Sequence, residues 1–348
     1  MYKKVLILLC LAAILFSCSS KRGNVLYIFN WTDYIAEDLI NKFEKENNCK
    51  VVYDTYNSNE NMLTKMLNTK SSYDLVVPSG DHVAIMLQKD MLEPLDKSKL
   101  TNYKNLDPAI LEQARNFDPE NKYSVPYFWG TTGLIYNRKF ISASVLQSGS
   151  WNIIADPFFK NKNKITLLDD AREVVGAALI YKGYNPNDTS DEALKAAKEV
   201  LNVWDSNVSQ YDSDSYKNEI QDGTTWLAQA YNGDALQIMI NNPDVNFLLP
   251  KEGASLWIDN IVIPKSAEHK ELAYKFIDFM LDAENGKINA EYVQYATPNQ
   301  ASLELLSEQI RNNEMVYPKA DYIAKCHMIN NIGEEVLKID AIWQEIRK

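Results

Sequence analysis

At 348 residues the chain is longer than one small core requires, which predicts two domains of about 100–200 residues each. An apolar share of 46% with 24% charged residues is that of a soluble globular protein. The net charge of −11 argues against nucleic acid, whose phosphates would repel the chain, and suits cationic ligands. At the N-terminus, Lys3 and Lys4 precede an apolar run from Val5 to Phe16. About a dozen residues suit a signal-peptide core and are too few to span a bilayer. Residues 1–17 are therefore read as a signal peptide outside the fold, and 18–23 as a tether. Removing 1–17 takes away two lysines and no acids, so the net charge moves from −11 to −13.

The run ends in Leu15-Phe16-Ser17-Cys18, followed by polar Ser19, Ser20, Lys21 and Arg22. This resembles a bacterial lipobox, in which the cysteine becomes the lipidated first residue; Phe16 is bulkier than the usual residue there. A lipid on Cys18 would anchor the protein to a membrane surface. Cys49 and Cys326 show no CxxC or other close spacing and are read as free thiols. His82, His269 and His327 are scattered, with no HExxH, so neither a metal nor another cofactor is expected.

Val25 to Phe29 reads as a buried strand, followed by a helix with Ile35, Leu39, Ile40 and Phe43 on one face. Lys50 to Thr55 reads as a second strand, Asn59 to Thr69 as a second helix and Asp74 to Pro78 as a third strand. Alternating strands and helices predict an α/β protein with a mostly parallel sheet. Ligands bind such sheets where loops leave the carboxyl ends of the strands, here Asn30 to Tyr34 and Ser79 to His82. Neither loop carries GxGxxG or GxxxxGK[ST], which argues against nucleotides.

Leu95 to Pro126 reads as irregular and Thr131 to Asn137 as a short strand, with a first crossing between domains near it. A second α/β unit follows: a strand at Ile165 to Leu168, helices over Ala171–Tyr181 and Asp191–Trp204, and a strand near Trp226 to Tyr231. Phe247 to Leu249 and Ser255 to Ile263 read as strands. Glu268–Leu281, Glu284–Tyr292 and a segment from Ile332 onward read as helices, and no internal repeat is evident. At the start of the second unit, Asp170 and Glu173 are three residues apart. They suit an N-cap and N3 pair at a helix start. They also suit two acids looking into a cleft and holding a cation.

Several motifs, in order, resemble the spermidine/putrescine-binding proteins of bacterial polyamine ABC importers. They are Asn30-Trp31-Thr32-Asp33-Tyr34, Tyr73 to Ser79, the PLDKSKLTNYKNLD stretch ending at Asp107, Leu168 to Val174, Pro250 to Gly253, Trp257-Ile258-Asp259 and Tyr295 to Asn299. The resemblance spans essentially the whole mature chain. It implies a type II periplasmic-binding-protein fold, with two α/β lobes joined by two or three crossing strands and the ligand between them. The expected division is 24–133 with 260–302 for the first lobe and 134–259 with 303–348 for the second.

Carried over position by position, the resemblance implies ligand-binding acids at Asp33, Asp170, Glu173 and Asp259. Aromatic walls carry over to Trp31, Tyr34, Trp257, Tyr295 and Tyr231. Thr32, Ser79 and Ser213 would add polar contacts. Such a set suits ammonium groups joined by methylenes: carboxylates accept charge-assisted hydrogen bonds, and aromatic faces cover the hydrocarbon. Taken singly, Trp31, Trp257 and Tyr295 are more often core or loop-packing aromatics, and Asp33 and Asp259 are turn residues or caps just as readily. The chain departs from the family's spermidine-preferring members in having Asp81 for a tyrosine and Ile329 for a glutamine. Asp33, Asp234 and Ile329 resemble the putrescine-preferring branch, whereas Asp170 and Trp257 resemble the spermidine branch.

The resemblance thus implies a monomeric binder of spermidine, putrescine or both, delivering its ligand to an ABC permease without catalysis. A secreted carboxylate-dependent hydrolase using Asp170 and Glu173, or a binding protein or adhesin for another solute, are the alternatives.

Overall fold

The first strand shows how the layers form. In β1, Val25–Trp31, Leu26 and Ile28 point into one apolar layer and Phe29 into the opposite one, the two-residue period of a strand covered on both faces. The computed structural model describes residues 24–68 and 73–347, so the signal peptide, the 18–23 tether and Cys18 lie outside the described residues.

β1 pairs in parallel with β2, Lys50–Tyr56, and β3, Leu75–Val76. β4, Ser124–Asn137, runs through both lobes. The second lobe contributes β5, Ile165–Leu167, β6, Val208–Tyr211, β7, Leu227–Tyr231, and β8, Val245–Leu248. β9, Ser255–Val262, returns to the first lobe, and β10, His327–Met328, adds a short parallel bridge to it. The strand order is β2-β1-β3-β9-β4 on one side and β8-β4-β7-β5-β6 on the other. Each lobe thus has three parallel strands, an antiparallel crossing strand and one more: the same topology twice, although no sequence repeat announces it.

The first lobe's sheet is covered on one face by the helices Glu37–Asn47, Lys270–Met280 and Ala283–Val293, through Leu39, Phe43, Phe276 and Val293. On the other face Met62, Val83, Met86 and Ala114 come from Asn59–Asn68, Gly80–Gln88 and Pro108–Ala114. The second lobe buries Trp151, Phe159, Leu179, Trp204 and Trp343 around its own sheet. Its helices include Ala171–Tyr181, Asp191–Asp205 and the terminal Val336–Ile346.

Three expectations are corrected. The Leu95–Pro126 stretch is not wholly irregular: Asp107 caps Pro108–Ala114 by accepting from the Ala109 amide at 2.8 Å. β4 begins seven residues before the expected Thr131, because its ladder absorbs Pro126 at a register shift, where the missing amide is tolerated. The 259/260 boundary falls inside β9, which already pairs with the first lobe's part of β4 from Leu256. Likewise Leu306, past the expected 302/303 boundary, still packs in the first lobe's core.

The lobes meet where β4 changes partner. Thr131 pairs with Leu256 of β9, and Thr132 with Tyr231 of β7. Among the described residues no helix is long and apolar enough to cross a membrane. Cys49 is buried and Cys326 partly so, and both are free thiols.

Candidate functional site

The carboxyl ends of β1, β3, β5, β6 and β7 all open toward one cleft between the lobes, of about 990 Å³ counting its mouth. From the first lobe, the end of β1 brings Trp31 and the loop after it Thr32 and Tyr34, and the segment after β3 brings Ser79 and Asp81. From the second lobe, Asp170 and Glu173 follow β5, Ser213 follows β6, Tyr231 ends β7 and Asp234 follows it. Trp257 and Asp259 project from the crossing strand β9, and Tyr295 closes the floor. Thirteen of the fourteen residues expected from the sequence therefore line one space.

Asp33 does not. Its backbone adopts a left-handed conformation, φ 58°, and its side chain stands at the rim, 55% exposed, meeting Lys217 at 3.4 Å. Lys217, Arg172, His82, Glu60 and Ile329 line the cleft beyond the expected contact set. The sequence carried a weak signal for Arg172, next to Asp170. It carried none for Lys217, whose seven-residue helix Tyr216–Asp222 is too short for periodicity to reveal.

Asp259 sits where β3 and β9 run on past their ladder: Ser79 and Asp259 form a further bridge, which sets their side chains side by side. Ser79 Oγ donates to Asp259 Oδ1 at 2.6 Å and Tyr34 OH to Asp259 Oδ2 at 2.7 Å. Burial raises the Asp259 carboxyl to about 7 even against these two hydrogen bonds.

Asp170 is the N-cap of Ala171–Tyr181, with Oδ1 accepting from the Arg172 and Glu173 amides at 2.9 and 3.0 Å. The reciprocal half of the capping pair is replaced: Glu173 is buried and accepts from Ser255 Oγ. Burial and the neighbouring Glu60 push Asp170 up to about 7, and burial and Asp170 push Glu173 up to about 8. Capping does not withdraw these acids from the cleft: both still line it, with the Arg172 charge in the field of each.

Asp81 behaves oppositely. Burial favours its neutral form, but His82, whose Nδ1 lies 3.0 Å from Oδ2, together with Arg172 outweighs that and lowers its pKa. Asp234 is held by two phenols, Tyr295 OH at 2.7 Å and Tyr216 OH at 3.0 Å.

The aromatic groups form a box. Trp257 stands edge-on to Tyr231 and Tyr295, with centroids 5.9 and 5.2 Å apart, and Tyr34 meets Tyr295 at 5.3 Å. Two glycines make room for it. A Cβ on Gly130 would lie 2.5 Å from the Trp257 ring, and one on Gly233 would lie 2.4 Å from Tyr295. Trp31 is oriented by its own Nε1, which donates to the Val77 carbonyl at 2.9 Å. Among the described residues no group of His, Cys, Asp and Glu is placed to hold a metal ion. The site offers buried, under-neutralised carboxylates around apolar ring faces, which suits organic cations.

Comparison with known proteins agrees with this arrangement. The family of bacterial extracellular solute-binding proteins matches residues 38–316. A spermidine/putrescine-binding periplasmic protein of Salmonella typhimurium is 38% identical over 326 residues, covering 93% of this chain and 92% of its own. Among solved structures, a spermidine/putrescine ABC transporter substrate-binding protein of Streptococcus pneumoniae shares 33% identity at a TM-score of 0.82, covering 94% of this chain and 100% of that one. A lipoprotein of Treponema pallidum shares 30% identity at a TM-score of 0.81, covering 93% and 99%. The two α/β lobes are those of the type II periplasmic-binding-protein fold. With the likeness running over nearly the whole described length, the chain belongs to the bacterial extracellular solute-binding proteins.

Proposed function

We propose that the protein captures a polyamine, spermidine or putrescine, in the interlobe cleft and delivers it to the permease of an ABC importer. The observation that carries this reading is the placement of buried Glu173 and Asp259 and half-buried Asp170, none with a cation in contact, around the Trp257–Tyr295–Tyr231 box. Ammonium groups would replace the protons that these acids retain, and the ring faces would cover the methylenes, adding roughly 0.5–2 kcal/mol per cation–π contact. Thr32 and Ser213 would serve the ligand's outer polar contacts. The names of the relatives, spermidine/putrescine-binding among them, support the same ligand class.

Capture proceeds without chemistry in this reading. Asp170 and Glu173 rise from one helical turn, not from opposite sides of a substrate as a glycosidase pair would. The lobes close about the Thr131–Thr132 junction, and the closed form is what the permease receives. The protein works outside the cytoplasm as a monomer, held beside its permease by a lipid on Cys18.

Calorimetric titration of the mature protein with putrescine, spermidine, spermine, cadaverine, sugars and amino acids tests the proposal. Saturable heat is expected with one or more polyamines and none with sugars. Neither heat nor a thermal shift with any polyamine would sink it.

A further inference from the structure

Lys217, like Arg172, is a cation lining a cleft proposed to take a cation. It lines the cavity from the second lobe, with its side chain only 21% exposed. Its ammonium lies 3.4 Å from Asp33 Oδ2 of the first lobe and 3.2 Å from Asp214 Oδ1 of its own lobe. Burial works against its charge, but Asp234, Asp214 and Asp33 outweigh that and keep it protonated. The cleft therefore already holds a protein ammonium at this end.

Asp81, which also lines the cleft, is arranged alike. Asp81 is engaged by His82 and lies in the field of Arg172. Among the described residues no ion pair engages Asp170, Glu173 or Asp259, which line the same cleft, although Arg172 also lies in the field of Asp170 and Glu173. The acids left for a ligand thus share the cleft with protein cations, of which Lys217 already occupies the place beside Asp33. A ligand nitrogen carried to the rim beside Asp33 would meet Lys217 and be repelled by a like charge, or would have to displace it from Asp33.

We infer that Lys217 is a specificity-determining residue, whose ammonium fills the cation position beside Asp33 and so limits the length of polyamine that the cleft accepts. The inference rests on the polyamine reading above and adds the element that measures the ligand. It also gives Asp33 its role at the rim: the carboxylate anchors the protein's own cation.

The test is calorimetry of the mature protein and its Lys217→Met, Lys217→Gln and Lys217→Arg variants with putrescine, spermidine and spermine, with thermal melts to verify folding. Lys217→Met and Lys217→Gln are expected to improve spermine affinity relative to putrescine by about tenfold or more, a shift of about 1.4 kcal/mol. Lys217→Arg, which keeps the charge, should hold the wild-type ratio. An unchanged ratio in either folded neutral variant, or an equal gain for all three ligands, would overturn the length limit. Wild-type protein that binds none of the three would overturn the polyamine reading itself, and this inference with it.

Discussion

Asp259 receives hydroxyls from two segments of the first lobe and offers its remaining acceptor capacity to the cleft. Asp259→Ala would remove the charge that a ligand ammonium faces and strand both hydroxyls. Binding is expected to weaken by roughly 2–5 kcal/mol, at least about thirtyfold. Trp257→Ala, which empties the centre of the aromatic box, should cost about 2 kcal/mol or more. Retained affinity in both, measured by calorimetry, would place the ligand elsewhere. Asp170→Asn is expected to penalise spermidine more than putrescine; equal losses would detach Asp170 from the extra nitrogen. The raised acids also predict pH behaviour. Asp170, Glu173 and Asp259 hold protons up to about 7 to 8 in the folded, empty protein but titrate near 4 when unfolded. Between about pH 4 and 8 the folded state therefore binds more protons, so stability falls as pH rises through that window. A melting temperature of the ligand-free protein lower at pH 8.5 than at pH 6 is expected, with saturating polyamine opposing the decline. An empty-protein melt that is flat or rises between those two values would mean that these carboxyls are not held neutral.

The helix Ala171–Tyr181 shows what can be read from sequence and what cannot. Asp170 and Glu173 were legible as a helix start because capping chemistry is local, and the same spacing suggested two acids on one face. That Glu173 would turn to Ser255 rather than back to its own cap was not legible, because Ser255 is brought there by a strand some eighty residues later. The cap separates stability from binding: Asp170→Asn should keep the helix start, whereas Asp170→Ala should cost about 1 kcal/mol. Thermal melts of the two empty variants check this, and an Asn variant as destabilised as the Ala variant would contradict it. The elements that escaped prediction have local causes too. Pro126 masked the first half of β4, and the first turn of Gly80–Gln88 reads as a loop because Ser79 to His82 is polar. Lys217 was invisible because a lysine on a short, aperiodic segment looks like any solvated surface charge.

Across the molecule, the alternation of strands and helices revealed the class of fold, and the ordered motifs revealed about half of the residues that line the cleft. The lobe boundaries were less accurate, because a crossing strand is continuous in sequence while its partners change in space. β9 illustrates this: it lies between β3 and β4 in the first lobe's sheet, yet follows the second lobe along the chain. A fragment ending at residue 254 would leave that sheet split, and is expected to lack the cooperative unfolding transition of the whole protein in denaturant. A full, two-state transition in that fragment would refute the dependence. The same arrangement governs the order of events as the chain emerges N-terminus first. The first lobe's core needs Ile261, Phe276 and Tyr295, so the first 250 residues cannot finish the first lobe that they begin. Most of the second lobe is available earlier, but its core still waits for Ile339 and Trp343. Neither lobe can therefore fold fully ahead of the other, and a chain interrupted midway displays two unfinished cores to any protease or chaperone it meets.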